Sequence, residues 1–262
     1  MTLEAAVFLL LGGALAGVAA GLLGIGGGLI LVPLLLWVLT GAGVEPAPAM
    51  VMAVATALGT IPLTAASAIA AHHRRGAVDW RLVRRLAPWV AAGALAGSLL
   101  AAWLGGDLLR RLFAAFAVLM AWRLWRGSPA RPFEPPPPGK VAAAISFGIG
   151  VLSAMIGIGG GSMTVPWLHH RGLAMARAVA AGSALGYPLA LTGSVGYLFG
   201  GWGFDVPVPH LGYLYWPGLL LIALATVATA PWGVRLAHRL PGRQVALLFA
   251  GFLLAIAVKF AW

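Results

Sequence analysis

The sequence predicts an all-α polytopic membrane protein: eight hydrophobic segments in two inverted four-segment repeats, each opening with a glycine-broken re-entrant segment. Three observations carry that expectation. Of 262 residues, 61% are hydrophobic and only 9% charged, where a water-soluble domain carries roughly a quarter charged residues. The apolar residues fall in runs close to the ~20 residues that cross a bilayer. The pentapeptide Gly-Ile-Gly-Gly-Gly occurs twice, at Gly24–Gly28 and Gly157–Gly161.

The segments lie near Ala5–Thr40, Ala47–Ala71, Leu86–Leu104, Leu108–Trp125, Val141–Leu168, Ala174–Phe199, Tyr213–Val234 and Val245–Ala261. The first is too long for one straight crossing, and it and the fifth carry the pentapeptides. Most tryptophans, Trp37, Trp103 and Trp202 among them, stand near segment ends, where an amphipathic ring suits the interface. Met1–Ala20 lacks the basic start of a cleavable signal peptide. Seventeen Lys and Arg against six acids give a net charge of +11, but the basic residues sit in short loops between apolar runs, the pattern of cytoplasmic membrane loops rather than of a nucleic-acid surface. The absence of cysteine excludes disulfides, thiolate metal sites and thiol catalysis. The compositional break at Gly127–Gly139, with Pro135–Pro138, predicts a stiff spacer. It divides residues 1–126, a first transmembrane repeat, from residues 140–262, a second, with 127–139 as a cytoplasmic linker.

The halves share more than the pentapeptide. Gly17, Val32 and Pro33 recur 133 positions later as Gly150, Val165 and Pro166. After a six-residue gap Thr56-Ala57-Leu58-Gly59 aligns with Ser183-Ala184-Leu185-Gly186, and Leu112-Phe113-Ala114 matches Leu248-Phe249-Ala250. Charge decides between parallel and inverted copies. Eight simple crossings put Arg110, Arg111, Arg171, Arg177, Arg235, Arg239 and Arg243 outside. If segments one and five enter, break and return, only Arg110, Arg111 and Lys259 lie outside, which fits the positive-inside rule better. The second half is then inverted.

Broken segments at matching positions of inverted halves point to a transporter's binding site. Glycine permits backbone angles closed to other residues, and a helix restarting after the break presents unpaired amides and a positive dipole end, which suits an anion. Gly26, Gly27, Gly28, Gly159, Gly160 and Gly161 are therefore candidate amide donors, Ser162 and Thr164 candidate hydroxyl donors, and the matched pair Thr56 and Ser183 candidate lining residues. Small-residue packing is the competing explanation for the glycines. Glu4, Glu45, Asp79, Asp107, Glu134 and Asp205 all lie at segment ends or in loops, so no carboxylate is placed to neutralise a cation or relay protons. No P-loop, His-Glu motif or catalytic triad order stands out; no catalytic residue, metal site or cofactor is expected.

Two four-segment halves, each opening with a pattern seen here as Gly24-Ile25-Gly26-Gly27-Gly28…Pro33 and Gly157-Ile158-Gly159-Gly160-Gly161…Pro166, resemble the TauE/SafE sulfite exporter family, also called the toluene sulfonate uptake permease family. The resemblance spans essentially the whole chain. It implies a multi-pass permease of the bacterial inner membrane for small sulfur-containing anions such as sulfite, sulfoacetate or other organosulfonates, here expected to export by alternating access. The expected partners are the anion and the lipid bilayer, with no nucleic acid. A proton or sodium coupling ion and a homodimer stay open. So do two other classes, a passive anion channel and a membrane assembly subunit that transports nothing.

Overall fold

Both pentapeptide segments are divided in the computed structural model of the chain, which describes residues 3–23, 27–126, 134, 139–237, 250, 251 and 253–258. The helices in order are α1 (Leu3–Leu23), α2 (Gly28–Gly41), α3 (Pro46–Arg74), α4 (Trp80–Leu104), α5 (Gly106–Arg126), α6 (Lys140–Ile156), α7 (Gly161–His170), α8 (Met175–Gly200) and α9 (Trp216–Ala237). The chain is all-α across the described residues, with one isolated bridge between Leu211 and Leu214. Five helices are long and apolar enough to cross a membrane: α1, α3, α4, α8 and α9. The eighth segment expected from sequence, Val245–Ala261, lies mostly outside the described residues, as do Gly24–Gly26.

Local chemistry accounts for the helix ends. Pro46 occupies the first turn of α3, where its missing N–H costs nothing. Asp79 caps α4, its carboxylate accepting from the amides of Arg81 and Leu82 at 3.0 and 3.1 Å. The end of α6 is a left-handed glycine cap. Gly157 has φ +73°, its amide donates to the Ala154 carbonyl, and the Ile158 amide donates to that of Ser153, the paired bonds of a Schellman stop.

Helix crossings are built from small residues, as expected where lipid offers no hydrophobic drive and close backbone approach supplies the attraction. In α4, Gly93 lies against the Phe147 carbonyl and Gly97 against that of Val151, both in α6. In α1, Gly13 lies against Ile222 and Gly17 against Thr226, while Gly233 of α9 lies against the Val18 carbonyl. The two crossings correspond residue for residue. Gly97 on Val151 matches Gly233 on Val18, and Gly93 on Phe147 matches Thr229, whose hydroxyl donates to the Ala14 carbonyl at 3.0 Å.

These contacts also define direction. Along α1 and α9 the paired positions rise together, as they do along α3 and α9, where Gly59 meets Leu219 and Thr64 meets Thr226. Positions rise together again along α4 and α6, and along α4 and α8, where Ala91, Leu95 and Ala102 meet Thr192, Gly196 and Gly200. Thus α1, α3 and α9 run one way, and α4, α6 and α8 share a direction; the turn Arg75–Asp79 sends α4 back against α3. Within the first segment α2 folds back along α1, with Phe8 edge-on to Trp37 at 5.1 Å between ring centroids and Gly12 against Leu34.

Every residue of α3 from Ala49 to Leu58 is buried, which makes this helix the core of the bundle. Leu11, Leu15, Phe199, Leu220 and Leu224 are more than half exposed, an outward apolar surface that suits a hydrocarbon surround. Glu134 meets the turn between α7 and α8: its amide donates to the Arg171 carbonyl at 2.7 Å, and the two side chains pair at 3.4 Å.

Candidate functional site

The glycine caps bring the two broken segments together. Because Gly157 stops α6 in a left-handed turn, its carbonyl emerges sideways and Gly28, the first residue of α2, packs on it. Any side chain at either position meets backbone: a Cβ at Gly157 would stand 2.9 Å from the Cα and carbonyl oxygen of Val54. Beside this contact lies a cavity of about 50 Å³, bounded by α1, α2, α3, α8, α9 and the start of α7. A single water needs roughly 10–15 Å³ on such a measure, so a small oxyanion is of the right order.

Five of the residues singled out from sequence line this cavity: Gly27, Gly159, Gly160, Gly161 and Ser183. The remainder do not. Gly28 is committed to packing on Gly157. Thr56 is buried, and its hydroxyl accepts the Tyr215 amide at 2.9 Å, tying α3 to the start of α9. Ser162 and Thr164 are buried, 0% and 1% exposed, behind the cavity wall. Gly26 lies outside the described residues. The matched pair Thr56 and Ser183 is thus split, one hydroxyl holding the fold and the other facing the cavity.

Electrostatically the site offers dipoles and no side-chain charge. No Lys, Arg, Asp or Glu lines it, and all six acids of the chain are exposed. Neither α2 nor α7 has a side-chain cap. At the start of α7 the Ser162 amide bonds Gly159 and the Thr164 amide bonds Gly160, while those of Gly160 and Gly161 have no acceptor among the described residues. A ten-residue helix with free N-terminal amides is a partial positive charge directed at the cavity. The Ser183 hydroxyl, also without a partner among the described residues, can add a donor.

Three threonines that were not singled out from sequence complete the wall. Thr60 donates to the Ala57 carbonyl at 2.7 Å, and Thr64 and Thr226 approach to 2.8 Å between α3 and α9. They do bond their own backbone, which is why their type alone said little. Thr56, Thr60 and Thr64 recur every fourth residue on one helical face, and that spacing was the available signal. Thr226 had none.

The family model for sulfite exporter TauE/SafE matches residues 9–260. A probable membrane transporter protein of Haemophilus influenzae is 32% identical over 254 residues, covering 95% of this chain and 96% of its own. The probable membrane transporter protein YunE of Bacillus subtilis is 26% identical over 250 residues, 88% of this chain and 86% of its own. No solved structure matches.

Proposed function

This chain belongs to the sulfite exporter TauE/SafE family, a family of membrane transporters and not enzymes, and from that premise we propose that it exports a small sulfur-containing anion such as sulfite, sulfoacetate or another organosulfonate across the bacterial inner membrane. The observation that carries the reading is the meeting of Gly27 and Gly159–Gly161, two helix starts with no side-chain cap, at one cavity that no carboxylate lines. Amides and hydroxyls hold an oxyanion there without a cation, because the dipole ends and the low surrounding dielectric strengthen each donated hydrogen bond. A compact set of donors without acids selects for negative charge.

Transport proceeds by alternating access, with residues 1–126 and 140–262 as inverted halves and 127–139 as a cytoplasmic spacer. Support for inversion comes from direction: α1, α3 and α9 run opposite to α6, α8 and α4, their respective counterparts. Support for re-entry comes from α2 folding back along α1.

Counterflow in proteoliposomes tests the function. Purified protein loaded with sulfite should accelerate entry of labelled sulfite or sulfoacetate, saturably, and move no organic amine. Amine flux without anion flux would overturn the assignment, and non-saturating anion flux would make the protein a channel.

A further inference from the structure

We infer that Ser153 and Thr164 line a second cavity, closed in the described conformation and open to the opposite face of the bundle in another, so that the anion meets a different set of neutral donors on each side. This rests on the transport reading above.

Both hydroxyls are buried, 0% and 1% exposed, and neither has a hydrogen-bond partner among the described residues. Native proteins rarely leave buried polar groups so. The repeat assigns a reason. Ser153 is the counterpart of Ala20 and Thr164 that of Leu31, and both Ala20 and Leu31 line the open cavity. The correspondence is physical as well as textual, because Val151 and Val18, two positions before Ser153 and Ala20, each present their carbonyl to the matching glycine, Gly97 or Gly233.

The open cavity lies toward the end where α3 finishes, along Thr60, Thr64 and Ala68. Its counterpart lies toward the other end of the bundle, and there the space is filled. The Leu58, Ala154 and Ala94 side chains surround Gly193, and buried Tyr197 donates to the Ala154 carbonyl at 2.9 Å. If the two halves exchange conformations, this region opens as the present cavity closes, and Ser153 and Thr164 take the places that Ala20 and Leu31 now hold. Thr56 then stands where Ser183 stands now. Ser146 differs: its hydroxyl is likewise unpaired among the described residues, but its counterpart Gly13 packs against α9 rather than lining a cavity.

The chain has no cysteine, so single substitutions A20C, S153C and T164C in the full-length protein, reconstituted in oriented vesicles, can be probed with a membrane-impermeant methanethiosulfonate. We expect A20C to react only from the side carrying Gly76, and S153C and T164C only from the side carrying Gly43. Sulfite added on one side should move the two reaction rates in opposite directions by at least about threefold, as a shift between two states requires. Reaction of S153C from the same side as A20C would overturn the inference. So would failure of both S153C and T164C to react from either side in monodisperse protein that still transports. Opposite-sided reactivity without sulfite counterflow would uphold the second cavity and remove sulfite as the substrate.

Discussion

Gly28 rests on the carbonyl of Gly157, joining the restart of one broken segment to the stop of the other. A contact of two backbones admits no side chain, so Gly28→Ala should overpack at a cost of about 1–3 kcal/mol. Gly157→Ala adds the left-handed strain of an L-residue, roughly 1–2 kcal/mol, because its φ is +73°. Both should lower the melting temperature and the yield of monodisperse protein, and binding should fall only as far as folding does.

Gly27 and Gly160 should behave differently. A Cβ at Gly160 meets the Gly186 backbone at 3.2 Å and Leu189 at 3.3 Å, separations that shifts of a few tenths of an ångström relieve, whereas one at Gly27 meets the Ala16 Cβ at 2.9 Å and requires α1 itself to give way. Each new methyl group also encroaches on the anion's space. Gly160→Ala should therefore keep a near-native melting temperature and weaken sulfite binding by at least tenfold, about 1.4 kcal/mol, in calorimetric titration. Unchanged affinity in both variants would leave packing as the role of these glycines.

Ser183→Ala and Thr56→Val separate the two members of the matched pair. Loss of the Ser183 hydroxyl removes a donor to the anion and should cost about 1.5–3 kcal/mol of binding with little change in stability. Thr56→Val leaves the Tyr215 amide without its acceptor and should destabilise by about 1–3 kcal/mol while the affinity of the folded protein stays close to normal. Paired thermal-unfolding and titration curves would show the crossover, and equal effects from both would erase the distinction.

The helix crossings predict their own series. Gly93→Ala, Gly97→Ala and Gly233→Ala each drive a methyl group into a facing carbonyl and should destabilise by about 1–3 kcal/mol. Gly148→Ala, in the same helix as the contacted Phe147 but with open space around it, should be neutral or slightly stabilising, as alanine favours helix over glycine by about 1 kcal/mol. Melting temperatures of the four variants in one detergent test the set, and a loss at Gly148 matching that at Gly93 would refute the packing account.

Inverted halves require reporters at Gly43 and Gly203 to read periplasmic and those at Gly76 and Gly172 cytoplasmic. The Glu134–Arg171 pair requires Glu134 to share the side of Gly172. A periplasmic reading at Gly172 would restore eight plain crossings.

The membrane class, the all-helical character and the family were legible in the sequence, because each is a property of composition or of order along the chain. Hydropathy, proline runs and a motif repeated 133 positions apart survive without knowledge of neighbours. The inverted arrangement we propose draws on two separate sources, the charge of each loop and the helix directions set by contacts. The identity of the cavity wall was not legible in this way. That Ser183 faces the cavity while Thr56 caps α9 depends on which helix lies opposite each hydroxyl, and two residues matched by the repeat read alike in sequence. Nor does Gly-Ile-Gly-Gly-Gly announce that Gly157 and Gly28 pack on each other while Gly27 and Gly160 line the cavity. A glycine's role is decided by the atoms that approach its missing side chain, and for Gly28 and Gly157 those atoms come from segments more than a hundred residues away.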